Sequence, residues 1–519
     1  MPANARGTRS DVTYPAYRNK DYAHSAATYV EFVVDGNGQR LLYRAYLGGN
    51  TTSDFNLFEN TDYVWKINLN NADYAGDPRI QLLDLTPVSS ANRQTTSNCF
   101  MMKPGTNICF NPYKHEAGSG GWNTTLAPGG TIATGKTITK VEVLWQSKDA
   151  GTSGELVMGY VASSDVHTNL VNYTDMDNAS DALVHVKVPN TNGGNAVIAA
   201  YNGTTIVWSW HLWITDYVPV PIEKSLVNSE ETRRTALAAA RLNCKEGTVH
   251  QYRGAAWTYN TGYFYDKAIM DRNLGALRGT WSTTSSLESA RTFGNLYQWG
   301  RKDPQPGSAD GGSEDVDLMF DGDGVSMQPV VRANSELSLD NMTKHPTYFY
   351  IVEGSGSNKL PAGSWGETKT INDPCPEGWQ VPDFTTDASK HIWSDFSAWG
   401  TNLSKLVNGV WANTGTFDNI TLNDFNIMNG MRYKLSDDSE DYAWFPFFRP
   451  REHASGLLRD PSRDSYGKPI SSKNYLPCYI VFGANQSSGN ARYFEMKYAP
   501  GKPANVIQGF GFGIRCIQK

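Results

Sequence analysis

The sequence predicts a multidomain protein that is mainly β. With 519 residues, the chain is too long for a single hydrophobic core, and about three domains are expected. Forty-eight glycines and an aromatic content of 12% are typical of short strands joined by frequent turns. Several runs of residues also alternate between apolar and polar side chains, which is the period of a half-buried strand. Together these observations favour β modules over long helices.

The charge balance excludes several partners. The formal net charge is −6 and the isoelectric point is near 5.9, so the sequence offers no basic field for nucleic acid or anionic lipid.

No stretch is long and apolar enough to be a transmembrane helix, and the first residues, MPANAR, lack the apolar region of a secretory signal. The protein is therefore expected either to be cytosolic or to have its export signal outside this chain.

The first segment with a strand pattern is a hairpin. Residues 29–34 and 41–47 alternate apolar and polar side chains, and the turn residues DGNG lie between them at 35–38. A further strand-like run, YVWKINL, occupies residues 63–69. Three or four such strands are too few to enclose a core by themselves.

The residues of this segment point to a family. The run RLLYRAYLGGNTTSDFNLFENTDYVWKINLN resembles the closing strands of Bacteroides-type fimbrillins, in which Y-x-x-Y-L-G-x-N-x-T-x-D-F-N leads into an N-T-x-Y strand. The resemblance covers roughly residues 28–85. It implies that residues 1–90 form a partial fimbrillin-like β domain whose earlier strands are missing from this chain.

A second module is predicted over residues 91–221. It contains strand-like runs at 141–145, 182–188, 196–200 and 206–213, and a β-sandwich is the natural arrangement for so many short strands. The motifs N-C-x-x-x-K-P-G-T, G-N-A-V-I-A and W-S-W-H-x-W-x-T-D resemble a recurrent module of Bacteroidota surface proteins. His211 lies between tryptophans on a core strand, so we expect a structural histidine and not a catalytic base.

Residues 222–247 are predicted to be a linker with a short helix. Ser229 is a suitable N-cap, acidic residues follow in the first turn, and Arg241 lies near the carboxyl end of the helical run 229–242. The apolar face is narrow, which is typical of a connector that lies on one domain.

Two segments near the carboxyl end each carry one cysteine. DPCPEGWQVP, at 373–382, contains helix-resisting Asp-Pro and Cys-Pro steps and the turn pair Glu377-Gly378. GFGFGIRC, at 509–516, alternates as a half-buried strand does. If Cys375 and Cys516 pair, the chain-entropy model values the closed loop at roughly 4 to 5 kcal/mol.

Six cysteines allow other pairings as well. An even count in a chain of extracellular character suggests disulfides, but six cysteines can pair in about 15 ways. Cys99 and Cys109 flank Pro104-Gly105 and could bridge a hairpin, which would leave Cys244 with Cys478. The alternative for these four is that they are buried thiols. None of the cysteines forms C-x-x-C or has histidines at zinc spacing.

Four motifs, in order, resemble a second family. M-D-R-N-L-G-A, Y-Q-W-G-R-K-D-P, D-P-C-P-x-G-W-x-V-P and a closing G-x-x-x-R-C resemble the Fibrobacter succinogenes major paralogous domain found in Bacteroidota fimbrial tip proteins. The resemblance covers about residues 248–519. It implies an α+β fold of the C-type-lectin-like and sulfatase-modifying-factor-like class, in which a Cys375–Cys516 bond would join an internal element to the terminal strand.

These fold relatives suggest two chemistries that the residues support poorly. A calcium site is a weak candidate at the acidic residues Asp317, Asp321 and Asp323, which lack the complete spacing of an EF-hand loop. Cysteine oxidation needs a reactive thiol pair, and only Cys478 lies in a comparable region. No hydrolase, metalloprotease or phosphate-loop motif occurs, so no enzymatic activity and no resident cofactor are predicted.

Binding is the remaining function, and an aromatic insertion is the best candidate surface. Aromatic residues interrupted by prolines do not pack as a regular element, and arginine beside aromatic faces suits stacking on a sugar or peptide. The predicted ligand-binding residues are Trp444, Phe445, Phe447, Phe448, Arg449 and Arg451. The alternative is that this segment is a structured loop and not a binding surface.

The sequence therefore predicts a surface adhesin. The expected role is a tip or near-tip fimbrial subunit on the outside of a Gram-negative bacterium, which joins other subunits through its β domains and presents the lectin-like domain to a host or bacterial glycan or protein. The alternative is a surface lipoprotein that captures or processes glycans.

Overall fold

The computed structural model describes residues 28–36, 39–48, 57–64, 80–84, 93–147, 157–158, 171–188, 193–221, 249–250, 268–279, 291–306, 319–320, 327–328, 331–333, 338–351, 364–382, 430–434, 442–446, 450–458, 479–487, 490–496, 502–506 and 508–519. Within these ranges the chain is mainly β, as predicted. The described strands of the first 221 residues are β1 (Tyr29–Gly36), β2 (Gln39–Tyr46), β3 (Ile80–Asp84), β4 (Cys99–Met102), β5 (Asn107–Phe110), β6 (Lys140–Gln146), β7 (Val171–Thr174), β8 (Leu183–Lys187), β9 (Gly194–Asn202) and β10 (Thr205–Ile214).

The strands of the carboxyl-terminal part are mostly shorter. They are β11 (Val249–His250), β12 (Ile269–Met270), β13 (Tyr297–Gln298), β14 (Met319–Phe320), β15 (Met327–Gln328), β16 (Val331–Ala333), β17 (Tyr348–Tyr350), β18 (Trp379–Gln380), β19 (Gly430–Lys434), β20 (Tyr442–Pro446), β21 (Tyr479–Ser487), β22 (Asn490–Met496), β23 (Lys502–Val506), β24 (Gly511–Phe512) and β25 (Ile517–Gln518). The described α-helix, α1 (Leu339–Lys344), begins at Ser338, whose hydroxyl accepts a hydrogen bond from the amide of Asn341 at 3.2 Å.

The predicted amino-terminal hairpin is confirmed. β1 and β2 pair antiparallel around residues 37–38, and β3 adds on the other side of β2, which gives the order β1-β2-β3. The strand expected at 63–69 is not present in its described part, because Tyr63 and Val64 have no strand geometry and the remaining residues lie outside the described ranges.

Residues 93–221 build two sheets around one apolar core, and β14 and β15 of the carboxyl-terminal part extend the larger sheet beyond β6. The larger sheet has the order β15-β14-β6-β9-β10-β4, and the smaller has the order β5-β8-β7. Side chains from both sheets meet in a cluster that includes Phe100, Phe110, Val184, Trp208 and Trp210, which we call the two-sheet core. The tight turn predicted at Asn202-Gly203 connects β9 to β10.

Both faces of the six-stranded sheet are covered. Trp208, Trp210 and Leu212 of β10 point into the two-sheet core. The alternating residues, Ser209 and His211, are 1% exposed, and they lie against the carboxyl-terminal part of the chain. We call this second contact the junction, and its carboxyl-terminal side comprises residues 268–279, 291–306, 364–382 and 508–519.

Pairings between two-residue strands hold together the carboxyl-terminal side of the junction. β11, β12, β25 and β18 form a four-stranded sheet in that order, and β13 pairs with β24. The strand predicted over 509–516 is reduced to Gly511–Phe512, because the flanking residues are buried in contacts that are not ladder pairs. The predicted turn at Glu377-Gly378 is confirmed by a φ of 74° at Gly378 and a 3.0 Å bond from the amide of Trp379 to the Pro376 carbonyl.

Two further observations bear on the predictions. The linker helix expected at 229–242 lies outside the described residues. Among the residues that are described, no helix is long and apolar enough to cross a membrane.

Candidate functional site

The predicted aromatic insertion begins as a regular strand. Trp444 and Phe445 lie in β20, where they pair antiparallel with Arg432 and Met431 of β19. The expectation that prolines prevent a regular element here is wrong, because Pro446 stands at the last position of the strand, where its missing N–H costs little. Phe447, Phe448 and Arg449 lie outside the described residues. Whether this segment binds a ligand remains a prediction.

Arg451 has a different surrounding from the one expected of a ligand-contacting residue. It is 1% exposed, and its guanidinium donates to the carbonyl of Gly456 at 2.9 Å and of Pro306 at 3.2 Å. Its backbone exchanges two 3.0 Å hydrogen bonds with Gly511 of β24. In this placement Arg451 fastens the end of the aromatic insertion to the terminal segment.

The weak calcium candidate cannot be assembled from the described residues. Asp317, Asp321 and Asp323 all lie outside them, on either side of β14. β14 itself adds to the edge of the six-stranded sheet, where Phe320 pairs with Gln146 of β6. In the part of the chain that the structure describes, no three His, Cys, Asp or Glu side chains are grouped so as to hold a metal ion.

The disulfide between Cys375 and Cys516 is confirmed. The two Cα atoms are 6.0 Å apart, and the bond spans 141 residues of sequence. The alternative bridge between Cys99 and Cys109 is wrong, since both are buried thiols on different sheets. Cys99 belongs to β4 beside β10, whereas Cys109 belongs to β5 beside β8. Cys244 and Cys478 lie outside the described residues.

The segment DPCPEGWQVP is organised around the ammonium group of Lys369. This group donates to the backbone carbonyls of Cys375 at 2.7 Å, Pro376 at 2.8 Å and Trp379 at 2.5 Å. It also forms an ion pair of 2.8 Å with Glu116, which comes from the 93–221 part of the chain. The Lys369 side chain is fully buried, so these four partners replace the water that it would otherwise contact.

The carboxylate of Asp373 binds two backbone amides of the same segment. Its two carboxylate oxygens accept hydrogen bonds from the amides of Cys375 and Val381, both at 2.9 Å. Burial raises the pKa of Asp373, and Lys369 and the two amides act against that rise. The Asp373 carbonyl in turn accepts a 2.8 Å bond from the side-chain amide of Asn98, so the segment is tied to the residue that precedes β4.

A second polar cluster lies on β10. The Ser209 hydroxyl donates to the Asp303 carboxylate at 2.5 Å, and the Lys302 ammonium donates to the Ser209 carbonyl at 3.0 Å and to the Asp303 carboxylate at 2.8 Å. Burial lowers the pKa of Lys302, while Asp303 opposes that shift. The cluster is almost fully buried, so its charges are compensated within the junction.

His211 lies next to this cluster and is a structural histidine, as predicted. Its Nε2 is 2.8 Å from the Asn195 amide oxygen, and its Nδ1 is 3.4 Å from the Tyr297 hydroxyl. These partners favour the neutral tautomer with the proton on Nε2. Burial lowers the pKa of His211 to about 3. The Asn195 amide continues the chain of bonds to the carbonyl of Gly275 at 3.0 Å.

Sequence reasoning did not identify most of the junction residues, although β10 carries a signal for them. Its sequence, TIVWSWHLWI, contains no charged residue at any of its ten positions. A strand that is exposed on one face alternates apolar residues with charged ones, whereas a strand buried on both faces does not. The polar partners Lys302, Asp303 and Asn295 could not be found in this way, because they are about 90 residues distant in sequence.

These clusters hold the two sides of the junction together. Their polar groups are buried, and Lys369, Asp373, Ser209 and Lys302 each contact several partners within the protein. Buried and mutually bonded charges of this kind fix one arrangement of the backbone.

Comparisons with known proteins give one match. Residues 1–67 match the family profile DUF4906, described as a domain of unknown function. No curated protein and no solved structure matches the chain. The matched residues overlap the segment that resembles fimbrillins at positions 28–67.

Proposed function

We propose that this protein is a cell-surface adhesin, a tip or near-tip fimbrial subunit that presents a C-type-lectin-like carboxyl-terminal domain to a glycan or protein ligand. Its location would be the outside of a Gram-negative cell, and its partners would be other fimbrial subunits and a surface ligand. No enzymatic activity is part of the proposal.

The observation that carries the proposal is the junction. An adhesin transmits pulling force from its ligand to the fibre, and therefore needs a ligand-presenting part that does not swing freely from the part that joins the fibre. Lys369 with Glu116, Asn98 with Asp373, and Ser209 with Asp303 attach the carboxyl-terminal part to the six-stranded sheet. The disulfide closes the loop in which the aromatic insertion lies.

The amino-terminal match supports the same role. It covers residues 1–67, and residues 28–67 of that range also carry the fimbrillin-like motif. The chain thus combines a fimbrillin-like beginning with the motifs of a fimbrial tip domain at its end.

The proposed contact surface is the aromatic insertion up to Arg449. Trp444 and Phe445 lie on β20, and Phe447, Phe448 and Arg449 follow the strand. Arg451 belongs to the anchor of this surface, because its guanidinium is occupied by the carbonyls of Gly456 and Pro306.

A glycan array and a pull-down of fimbrial subunits test the proposal together. Full-length protein should bind a defined glycan or surface protein and should also associate with subunits of a fimbria. The variant Arg449→Ala should reduce ligand binding at least about 10-fold, or about 1.4 kcal/mol, without a change in subunit association, because an arginine that anchors a ligand is among the interface residues whose truncation costs most. Lys103→Ala, at an exposed position outside this surface, is the control.

The outcomes separate the adhesin from its alternative. Sugar binding without subunit association would contradict the fimbrial role and favour a glycan-capturing lipoprotein. Turnover of a polysaccharide that is lost on replacing one acidic pair would contradict the proposal as a whole.

A further inference from the structure

Two buried histidines lie at or beside the junction. Both ring nitrogens of His211 have partners: with the proton assigned to Nε2, the ring donates to the Asn195 amide oxygen and Nδ1 accepts from the Tyr297 hydroxyl, while the Asn295 amide nitrogen lies 3.4 Å from Nε2. Tyr297 belongs to the carboxyl-terminal part and Asn195 to β9, so the ring connects the two sides. A proton added to Nδ1 reverses the bond, so that the ring donates to the Tyr297 hydroxyl, and it places a positive charge in the buried junction.

His115 lies beside the Glu116 end of the junction. Its Nδ1 accepts a 3.1 Å bond from the amide of Ala117, which assigns the proton to Nε2. Nε2 is buried and has no hydrogen-bond partner among the described residues. A proton added to His115 would therefore displace the Ala117 bond and leave a buried positive charge.

The charges that face these rings are mostly positive. Lys369, Lys302 and Lys519 of the carboxyl-terminal part act on His115 and, together with burial, lower its pKa to about 3. Their anionic partners are Glu116, which pairs with Lys369 and Lys519, and Asp303, which pairs with Lys302. Around His211 the charged pair Lys302 and Asp303 is reached through Ser209, two residues away on the same strand face.

The opposite face of the six-stranded sheet has a different composition. The two-sheet core consists of apolar and aromatic residues, including Phe100, Phe110, Trp208 and Trp210. Neither histidine is a member of this core, so proton uptake acts first on the groups that surround the two rings.

We propose that the junction is an acid-labile latch: protonation of His211 and His115 separates the carboxyl-terminal side of the junction from the face of the six-stranded sheet while the two-sheet core stays folded. The consequence would be an adhesin whose presenting part is rigidly attached at neutral pH and released from its platform in acid.

The expected shift towards the open form follows from the difference in histidine pKa between the open and closed forms. In the open form a hydrated histidine has a pKa of about 6.5, whereas both pKa values are about 3 in the closed form. At a pH of about 4.5, each histidine then favours the open form by about 100-fold, and both together by about 10⁴-fold. Asp373 acts in the opposite direction, because its raised pKa lets the closed form hold a proton more readily.

The thiol of Cys99 is a natural probe of the latch. Cys99 is paired in register with His211, so both side chains lie on the junction face of the sheet. The backbone of Cys99 also forms an isolated β-bridge with Pro376 on the other side of the junction. Cys99 is 1% exposed, so a closed junction protects it. Cys109 lies on the smaller sheet, where its side chain alternates with those of the core residues Ile108 and Phe110, and it is the internal control for loss of that sheet.

The experiment labels full-length protein with 4,4′-dithiodipyridine, which reacts with thiols in acid as well as at neutral pH, and identifies the labelled cysteines by peptide mass spectrometry. Between pH 7 and about pH 4.5, the labelling rate of Cys99 should rise at least about 100-fold relative to that of Cys109. Cys99 that stays protected, or Cys99 and Cys109 that become reactive together, would overturn the proposal.

Variants of the two histidines add a second readout. His211→Gln retains an N–H donor for Asn195, and His115→Asn retains an acceptor for the Ala117 amide, but neither can take up a proton. The double variant should keep Cys99 protected at about pH 4.5. If it folds and still opens in acid as the natural protein does, the histidines are not the switch.

Discussion

Lys369 is the residue on which the DPCPEGWQVP segment depends most directly. Its ammonium group satisfies three backbone carbonyls and pairs with Glu116 across the junction. Replacing it by methionine leaves the carbonyls and the Glu116 carboxylate buried without this partner. We expect Lys369→Met to lower the free energy of unfolding by about 3 to 5 kcal/mol, measured by chemical denaturation.

A surface pair in the same part of the chain is the control. Lys344 and Asp340 form an i,i+4 ion pair on α1, with side chains 40% and 60% exposed. Lys344→Met should change stability by no more than about 0.5 kcal/mol, because water already solvates both charges. Equal losses in the two variants would contradict the role given to Lys369.

Gly275 tests how closely the junction is packed. It has a φ of +88°, and an added Cβ would lie 2.5 Å from the Asn295 amide nitrogen and 2.9 Å from the Asn195 amide oxygen. Both amides belong to the hydrogen-bonded group around His211. We expect Gly275→Ala to lower the free energy of unfolding by about 3 kcal/mol, from backbone strain and steric overlap together.

A substitution at Gly135 distinguishes the cost of backbone strain from the cost of steric overlap. It also has a positive φ, +72°, but an added Cβ would meet nothing within 4 Å. Gly135→Ala should therefore cost only the strain, about 1 kcal/mol. A Gly275 variant no less stable than the Gly135 variant would show that the amides can move aside.

The sequence predicts the contacts of some individual residues and not those of others. The turn and strand patterns mark the segments that carry Cys375 and Cys516, but they do not fix which cysteines pair, since six cysteines allow about 15 pairings. The burial of Arg451 could not be predicted, since its partners Pro306 and Gly511 are remote in sequence and accept only through their backbone.

Among the elements, the long strands follow the sequence closely and the short ones do not. β1, β6, β8 and β10 lie where alternating or apolar runs predict them, because a long periodic run has few other ways to bury its apolar face. β12, β13 and β24 have two residues each, and such short pairings are set by neighbours from distant parts of the chain.

The disulfide joins the segments that lead into two further short strands, β18 and β25. Its loop spans 141 residues, for which the chain-entropy model gives a stabilisation of roughly 4 to 5 kcal/mol. We expect the double variant Cys375→Ser, Cys516→Ser to lose about that amount in chemical denaturation, and the reduced natural protein to match it. A double variant as stable as the oxidised protein would mean that packing alone holds the two segments together.

Across the whole molecule, stability should fall in acid. The pKa values of His211 and His115 are lowered to about 3 in the folded state, so their contribution is complete above about pH 6.5 and is lost as the pH falls towards 3. Each histidine then contributes a slope of about 1.4 kcal/mol per pH unit between pH 6 and 4. Asp373, with its raised pKa, offsets part of this loss at the acid end.

The difference between the natural protein and His211→Gln isolates this effect from other carboxylates. The slope of unfolding free energy against pH should be smaller in the variant by about 1.4 kcal/mol per pH unit in that window. Parallel slopes would contradict the assignment of a buried neutral histidine at this position.

At neutral pH, the carboxyl-terminal side of the junction and the sheet that it covers should behave as one body. Native-state hydrogen exchange of the full-length protein, followed by mass spectrometry at pH 7, tests it most directly. The amides of Leu296, Arg301 and Gln305 should exchange with the same opening free energy as those of β10, because their protection depends on the same junction. Exchange in residues 291–306 that is more than about 100-fold faster than in β10 would show that the carboxyl-terminal part opens on its own, and would contradict the account.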